Sequence, residues 1–449
     1  MELDTNQSLA THWSQRPSEA NWDPAQAVRW GGIGRSDREF VPLRYLLRDA
    51  RQGVFAKAME DGDVAVRTIG VRDINPVLSG EGERRLMSER AVRRHLASDG
   101  DVLVARVGRL GQASCVTGAS SSLVPRDSVF VATPMRKSWG AGIAAALSTS
   151  VARDWMSDLF LGSRQASLTL EQLFDIPIPK PVEAEFEEVD DLVQRAGQLM
   201  SDGAGIVGQI RGEVGIALEN APTETLEKST FWMDDIDELG AWSFQDVRRY
   251  WTRRRARAAV KSLQRLAEAV DLSSHRAKTE YGDPTPPFTI DSDDVRSHWY
   301  LALPRLRPGE PTDKPGTRRF FAVDREALLI STMGNIAAAP VLVPQMILDQ
   351  TDEPLMVPIS WLPFVGLRHP RSLAVVLDHP FLQLQRRLGA SFSTVAHITK
   401  EEIETLLVPL IPEQQQERWE ADLIDAQTKF IEASQIVDHV LAIAEEWYS

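Results

Sequence analysis

Two arginines stand on either side of a glycine in GDVLVARVGRLGQASCV, Gly100 to Val116: Arg106 and Arg109 flank Gly108. A glycine turn lets backbone approach a partner closely, and a guanidinium makes bidentate contacts with phosphate or guanine that an ammonium cannot reproduce. That combination suits a nucleic-acid backbone or groove. The segment also reads as an ordinary hairpin whose glycine only closes the turn. A second cationic concentration is RRYWTRRRARAAVKSLQR, with Arg248, Arg249, Arg253, Arg254, Arg255, Arg257, Lys261 and Arg265. On a helix these would cover most of the circumference except a strip near Trp251, Ala258 and Leu266. Such a run binds phosphates, or it pairs with acidic protein surface.

Other chemistries lack their residues. No Gly-Lys pair occurs, so there is no P-loop of the usual kind. No lysine has Asp or Glu two places before it, which removes the common nuclease D/E-x-K element. The eight histidines (12, 95, 275, 298, 369, 379, 397, 439) show no H-x-x-x-H or H-E-x-x-H spacing, and no metal site is expected. No G-x-S-x-G occurs. Gly31-Gly32-Ile33-Gly34 follows no clear strand and is weak as a nucleotide loop. Asp283-Pro-Thr-Pro-Pro-Phe288 only loosely resembles the Asn/Asp-Pro-Pro-Tyr loop of amino-methyltransferases, because Thr285 stands before the proline pair; it reads as a proline-stiffened loop. A non-catalytic chain is the expectation, with no cofactor or metal of its own.

The elements that must position these residues come in two copies. Trp13-Ser14 and Trp22 return as Trp242-Ser243 and Trp251. LTLEQLFDIPIPKP (168–181) aligns with ITKEEIETLLVPLIPEQ (398–414), so that Leu168 falls on Ile398, Leu173 on Ile403 and Pro179 on Pro409. Both read as a short amphipathic helix, then an apolar strand ended by proline. A heptad seam follows in each copy: Val189, Val193, Ala196, Met200, Gly203, Val207, Ile210, Val214 and Ala217 in the first, and Trp419, Leu423, Ala426, Phe430, Ala433, Val437, Val440, Ala444 and Trp447 in the second. Two long helices packed against each other, each roughly 45 Å long, are predicted. The first carries Gly197, Gly203, Gly205, Gly208, Gly212 and Gly215. Each costs up to ~1 kcal/mol relative to alanine, so tertiary packing must hold this helix or it breaks near Gly203.

At an offset of 226, ALLISTMGNIAAAPVLV repeats the first copy's hairpin, with Gly334 on Gly108 and Asn335 on Arg109. The strand–turn–strand shape is kept while the turn chemistry changes to Thr332 and Asn335. A common frame with variable loops is what two different recognition sites need. In the first copy, DVAVRTIGVRDINPV reads as strand and turn, and ERRLMSERAVRRHL as a basic amphipathic helix.

The 449 residues fit two to four domains, with 43% hydrophobic and 25% charged residues, ordinary globular values. The apolar stretches are too short and interrupted for a membrane span to be expected, and MELDTNQSLATHW, polar and acidic, does not read as a secretory leader. The one cysteine, Cys115, allows no internal disulfide, and a cytoplasmic location is expected. Net charge is 50 − 64 = −14, which taken alone argues against nucleic acid. Yet only nine of the 50 cations are lysine, leaving 41 arginines.

The duplicated unit-plus-helix plan, GDVLVARVGRLGQASCV after DINPV, and the closing LEQLFDIPIPKP and EEIETLLVPLIPEQQQE pieces together resemble the specificity (S) subunit of type I restriction–modification systems. The resemblance covers nearly the whole chain. It implies an α/β (α+β) fold with an internal pseudo-twofold repeat: target-recognition domain 1 at 1–182, spacer helix 1 at 183–220, a linker at 221–239, target-recognition domain 2 at 240–411 and spacer helix 2 at 412–449. Each domain would read one half of a bipartite site on double-stranded DNA. Helices of this length would hold the two domains more than one ~34 Å turn of B-DNA apart. The helices, packed as a coiled coil through Val189, Val193, Met200, Val207, Ile210, Leu423, Phe430, Val437 and Val440, would dock methyltransferase (M) subunits. S-adenosylmethionine would sit in those partners, and ATP with Mg in a restriction/motor (R) subunit if one joins. Candidate DNA contacts are Arg106, Arg109, Gln112, Arg136, Lys137 and Arg164 in the first domain, and Arg318, Arg319, Thr332, Asn335, Arg368 and Arg371 in the second. The second copy departs from the pattern where Glu326-Ala327 replaces Gly100-Asp101. The acidic balance leaves open a scaffold of a phage-defence complex that does not read DNA.

Overall fold

A computed structural model describes residues 38–54, 64–74, 77–78, 83–108, 112–118, 123–158, 167–219, 221, 252–253, 256–257, 260, 263–269, 279–281, 288–289, 307–308, 319–333, 336, 340–349, 355–358, 360–392 and 396–448. The chain forms two compact units. Unit 1 takes in Met1–Gln198 and Gln435–Ser449, and unit 2 takes in Leu199–Ser434.

Unit 1 opens with β1 (Phe40–Pro42) and β2 (Leu47–Gln52), followed by β3 (Val64–Ile69), β4 (Val77–Leu78), β5 (Glu83–Met87), α1 (Glu89–His95), β6 (Val102–Ala105), β7 (Ala113–Cys115), β8 (Leu123–Pro125) and β9 (Val129–Pro134). Helices α2 (Trp139–Leu147), α3 (Ser150–Asp158) and α4 (Leu170–Phe174), then β10 (Pro177–Pro179), lead into the long α5 (Glu183–Ala217). The strands form a five-stranded sheet in the order β2-β9-β6-β7-β4, a three-stranded sheet β5-β3-β8, and the pair β1-β10. ERRLMSERAVRRHL is not one helix. Its first part is β5, antiparallel to β3, with Leu86 exposed and Met87 buried as strand alternation demands, and only Glu89–His95 is helical.

Unit 2 takes the second half of α5 and then, among the described residues, β11 (Leu263–Arg265) and α6 (Leu266–Ala269), β12 (Thr279–Tyr281), β13 (Phe288–Thr289), β14 (Arg307–Pro308), β15 (Arg319–Val323), β16 (Ala327–Ser331), β17 (Val341–Val343), α7 (Gln345–Leu348), β18 (Leu355–Pro358) and β19 (Trp361–Val365). After α8 (Pro370–Leu377), α9 (Pro380–Gly389), β20 (Ser391–Phe392), β21 (Ala396–His397), α10 (Lys400–Glu404) and β22 (Leu407–Pro409) comes the long α11 (Glu413–Glu446). The basic run is therefore not helical throughout. Thr252–Arg253 and Ala256–Arg257 are helical, but Leu263–Arg265 is a strand because it pairs with β22.

Duplication is visible bond by bond. Phe40 pairs with Pro179 as Leu263 pairs with Pro409. Leu43 donates its N–H to Ile176 O as Leu266 donates to Leu406 O. Thr169 and Thr399 each cap the next short helix, accepting from the N–H of Gln172 and Glu402, whose side chains bond back. Such a capping box contributes roughly 1 kcal/mol, and Leu173 and Ile403, both fully buried, anchor the two helices. The sequence had aligned these segments correctly, while the opening strands repeat at a different offset, 263 against 40, that it did not show.

The heptad seams are buried in the expected register. Val189, Val193, Val207, Ile210, Leu423, Phe430 and Val440 are buried, and Met200 and Val437 half-buried. The first seam closes on Leu218 rather than the exposed Ala217. A 3.6-residue helix drifts ~20° per heptad away from a 3.5-residue pattern, which moves the last position by one. Within unit 1, Phe186 near the start of α5 stacks on Trp447 near the end of α11, with ring centres 5.0 Å apart. Within unit 2, Gly203 faces Phe430, and Glu213 accepts a 2.8 Å bond from the Trp419 indole N–H, so the helices run antiparallel there. Helix α5 is continuous through its glycines. A Cβ on Gly203 would lie 2.4 Å from the Phe430 ring, so the bare backbone is what admits that ring. Nothing lies within 4 Å of a Cβ added at Gly205, Gly208, Gly212 or Gly215.

Candidate nucleic-acid interface

The hairpin that carries Arg106 is built as the sequence predicts. β6 and β7 pair antiparallel, Val102 opposite Cys115, and Gly108 turns with φ 75°, a conformation that favours glycine. Arg106 leaves the strand end with its backbone fixed: its N–H donates to Ser128 O at 2.9 Å and its carbonyl accepts from Leu168 N–H at 2.8 Å. The next residue, Val107, bridges to Ser167. In unit 2, β16 and β17 pair in the same way. Thr332 donates to Ser360 O at 2.8 Å and accepts from Ile398 N–H at 3.0 Å, and Met333 bridges to His397. Arg106 and Thr332 thus occupy the same place in two copies of one backbone frame. Their side chains differ completely. The Arg106 guanidinium is half-buried and reaches Asp127 O at 3.4 Å, whereas Thr332 is buried.

Gln112 sits half-buried just before β7, where its carbonyl accepts from the N–H of Ala105, the residue before Arg106. Its side-chain Oε1 is shut off from solvent without a hydrogen-bond partner among the described residues. Arg109, Arg164, Arg318 and Asn335 lie outside the described residues. Arg319 opens β15, opposite Tyr281 of β12.

The cations just before α2 and α8 serve a second duplicated contact. Arg136 pairs with Glu183, the first residue of α5, and lies 5.3 Å over the Trp139 ring. Arg368 pairs with Glu413, the first residue of α11, and with Glu417 at 2.9 Å. Lys137 pairs with Asp99, and this hydrogen bond raises the lysine's pKa. Arg136, Lys137 and Arg368 keep more than half of their side-chain surface exposed. Exposed pairs of this kind contribute ~0–1 kcal/mol, so a phosphate can replace the carboxylate at little cost. Arg371 is different. It is 9% exposed, with Nε bonded to Gln427, Nη1 to Glu420 and Nη2 to Glu326. Its guanidinium is spent on holding α8 to α11, and it has none left for a phosphate.

Sequence reasoning passed over Arg48 and Arg51. They line a cavity of about 310 Å³ in unit 1 together with Lys137, Asp49, Asp99 and Asp101. Both sit on β2, whose mixed LRDARQ pattern gave no basic run to notice. Beside this cavity, burial pushes the Asp190 carboxyl up to about 6, and the Asp99 charge adds to the rise. The one cysteine is no nucleophile here: Cys115 is buried and desolvation pushes its thiol far above the usual range. Among the described residues no helix is long and apolar enough to cross a membrane.

No family model matches the chain, and no curated protein matches its sequence. Solved structures to which the chain is similar include the S subunit of a type I restriction–modification system from M. genitalium, at 10% identity and TM-score 0.38, covering 93% of this chain and 97% of that one. The HsdS subunit from Thermoanaerobacter tengcongensis is similar at 12% identity and TM-score 0.28, covering 91% and 96%. A third is a chain from a structure of type I R-M complex assembly and conformational transition, at 14% identity and TM-score 0.28, covering 91% and 97%.

Proposed function

We propose that this chain is the DNA-specificity subunit of a type I restriction–modification complex, or of a related phage-defence methylation complex. Each unit reads one half of a bipartite site on double-stranded DNA, and the long helices dock methyltransferase subunits. The chain itself carries out no chemistry; S-adenosylmethionine belongs to the methyltransferase partners, and ATP with Mg to a motor subunit where one joins. The observation that carries this reading is the pair Arg106 and Thr332, held by equivalent backbone bonds at equivalent hairpin ends. A frame that is kept while the side chain at its tip changes from arginine to threonine suits two readers of unlike half-sites. Arg106, Gln112, Arg109 and Asn335 are the proposed base-reading group, with Arg136, Lys137, Arg164, Arg318, Arg319 and Arg368 on phosphates and Thr332 supporting its hairpin. Arg371 is left out because its guanidinium is fully committed.

The test is a map of modified bases in the native host with and without this gene. Loss of one methylated bipartite motif on deletion is expected. Complementation with Arg106→Ala should relax the sequence at one half only, by the ~10- to 100-fold discrimination a good base contact supplies. A second reading, a scaffold that does not touch DNA, is favoured by the net charge of −14 and by the internal pairing of Arg136, Lys137 and Arg368. An unchanged methylome together with no duplex affinity of the purified complex at low salt would select it.

A further inference from the structure

The two long helices begin alike but differ in one neighbour. Glu183 and Glu187 open α5, and Glu413 and Glu417 open α11, each pair one helical turn apart on one face. Each first glutamate is met by an arginine, Arg136 or Arg368. The residue after that arginine is Lys137 in unit 1 and His369 in unit 2. Lys137 turns to Asp99. His369 instead joins the glutamates: one ring nitrogen and one oxygen from each of Glu413 and Glu417 all lie within 4.8 Å of one another.

The His369 ring has no other use among the described residues. It stands at the N-cap position of α8 yet makes no side-chain cap. His379, at the same position of α9, does cap, its Nδ1 accepting from Phe381 N–H at 3.2 Å. Both His369 nitrogens are closed off from solvent with no hydrogen-bond partner among the described residues. Buried imidazole nitrogens normally find one. A nitrogen lone pair held out of water beside two carboxylates is a ligand set waiting for a cation.

We propose that His369, Glu413 and Glu417 bind a divalent transition-metal ion, Zn²⁺ by donor type, at the head of α11. One imidazole and two carboxylates are ordinary zinc donors, with water completing four-coordination. Tetrahedral donors about 2 Å from zinc lie about 3.3 Å apart, so donors now within 4.8 Å of one another must draw in by about 1.5 Å at most. Arg368 is the competitor. It now bridges the two carboxylates and must swing away or share them, and the positive end of the helix dipole also opposes a cation. Affinity is therefore weaker than that of a buried four-ligand structural site. The metal would tie α8 to α11 within unit 2, independently of the DNA reading. Among the described residues unit 1, with an ammonium where unit 2 has an imidazole, has no such set, so one ion per chain is the expected stoichiometry.

The experiment is titration of the purified full-length chain with Zn²⁺ against a chromophoric chelator near neutral pH. One ion per chain is expected. His369→Gln should weaken binding at least about tenfold, as loss of metal-site groups does. Arg368→Gln, which removes the competing charge, should tighten it about tenfold. Glu183→Gln in the metal-free copy should leave it unchanged. The tightening in Arg368→Gln does not depend on whether His369→Gln folds. No stoichiometric Zn²⁺ in the unaltered chain, His369→Gln binding as tightly as the unaltered chain, or Arg368→Gln binding no tighter would each overturn the proposal.

Discussion

Arg371→Ala separates a structural arginine from a reading one. The residue is 9% exposed and Glu420 is 7% exposed. Arg371 Nη1 donates to Glu420 at 2.9 Å, Nη2 to Glu326 at 2.6 Å, and Nε to Gln427 at 2.8 Å. Truncation leaves the Glu420 carboxylate buried with no positive neighbour in this network. It would keep only the hydroxyl of Ser372 at 3.1 Å and the N–H groups of residues 371 and 372. Breaking a buried ion pair from one side costs about 3–5 kcal/mol. For a domain of this size each kcal/mol moves the melting temperature about 2–4 °C, so unit 2 should melt about 6–20 °C lower. The assay is calorimetry of the full chain. Arg368→Ala is the exposed control and should change stability by under about 1 kcal/mol. The pairing Arg371→Met with Glu420→Leu should recover most of the loss, because apolar replacement of both partners removes the stranded charge. An Arg371→Ala chain that melts like the unaltered one but no longer selects one DNA half-site would refute this assignment.

The glycines of α5 should divide by position. Gly203→Val drives side-chain atoms into the Phe430 ring and should destabilise by about 1–3 kcal/mol, whereas Gly212→Ala, which meets open space, should stabilise by about 0.5–1 kcal/mol in a urea titration. Asp190→Asn should change stability with pH. The folded carboxyl titrates at about 6 rather than 3.8, so its stabilising protonated form is lost as pH rises through that window. The gap is worth about 3 kcal/mol for a fully buried group. Partial exposure brings it to about 1–2 kcal/mol. The substitution should therefore stabilise by that much at pH 7–8 and by nothing near pH 4; a gain that is the same at both pH values would remove Asp190 as its source.

What was readable in the chain was whatever local spacing encodes. The short helix before each proline-ended strand and the two heptad seams depend on residues within a few places of one another, and they fold as read. The opening strands were not readable, because Phe40 and Leu263 find their partners at Pro179 and Pro409, far along the chain. Chemistry assembled across such distances was equally hidden. Arg371 looked like a surface cation because Glu326 and Glu420 are remote in sequence, and His369 looked solitary because its glutamates begin 44 residues later, at 413. The repeat helped only where offsets agreed. Between the copies the offset runs from 223 (40 to 263) through 226 (106 to 332) and 230 (183 to 413) to 232 (136 to 368), so no single alignment shows Lys137 standing where His369 stands.

The positions at which the two copies disagree follow a physical rule. The shared frame is made of backbone bonds, threonine caps and glutamate–arginine pairs. A backbone N–H or carbonyl is the same for every residue but proline, so Arg106 can become Thr332 without loss of a frame bond. Divergence is thereby permitted at the hairpin ends and beside the helix starts, and penalised at the caps and seams. The proposed function needs this arrangement: the scaffold is shared between the copies, and the side chains that the scaffold does not use would set what each copy reads. The buried Arg371–Glu420 pair in unit 2 fits the same logic, as an added tie between α8 and α11 in the copy whose GDVLV-like segment has become Glu326-Ala327, since Glu326 itself supplies one of its carboxylates.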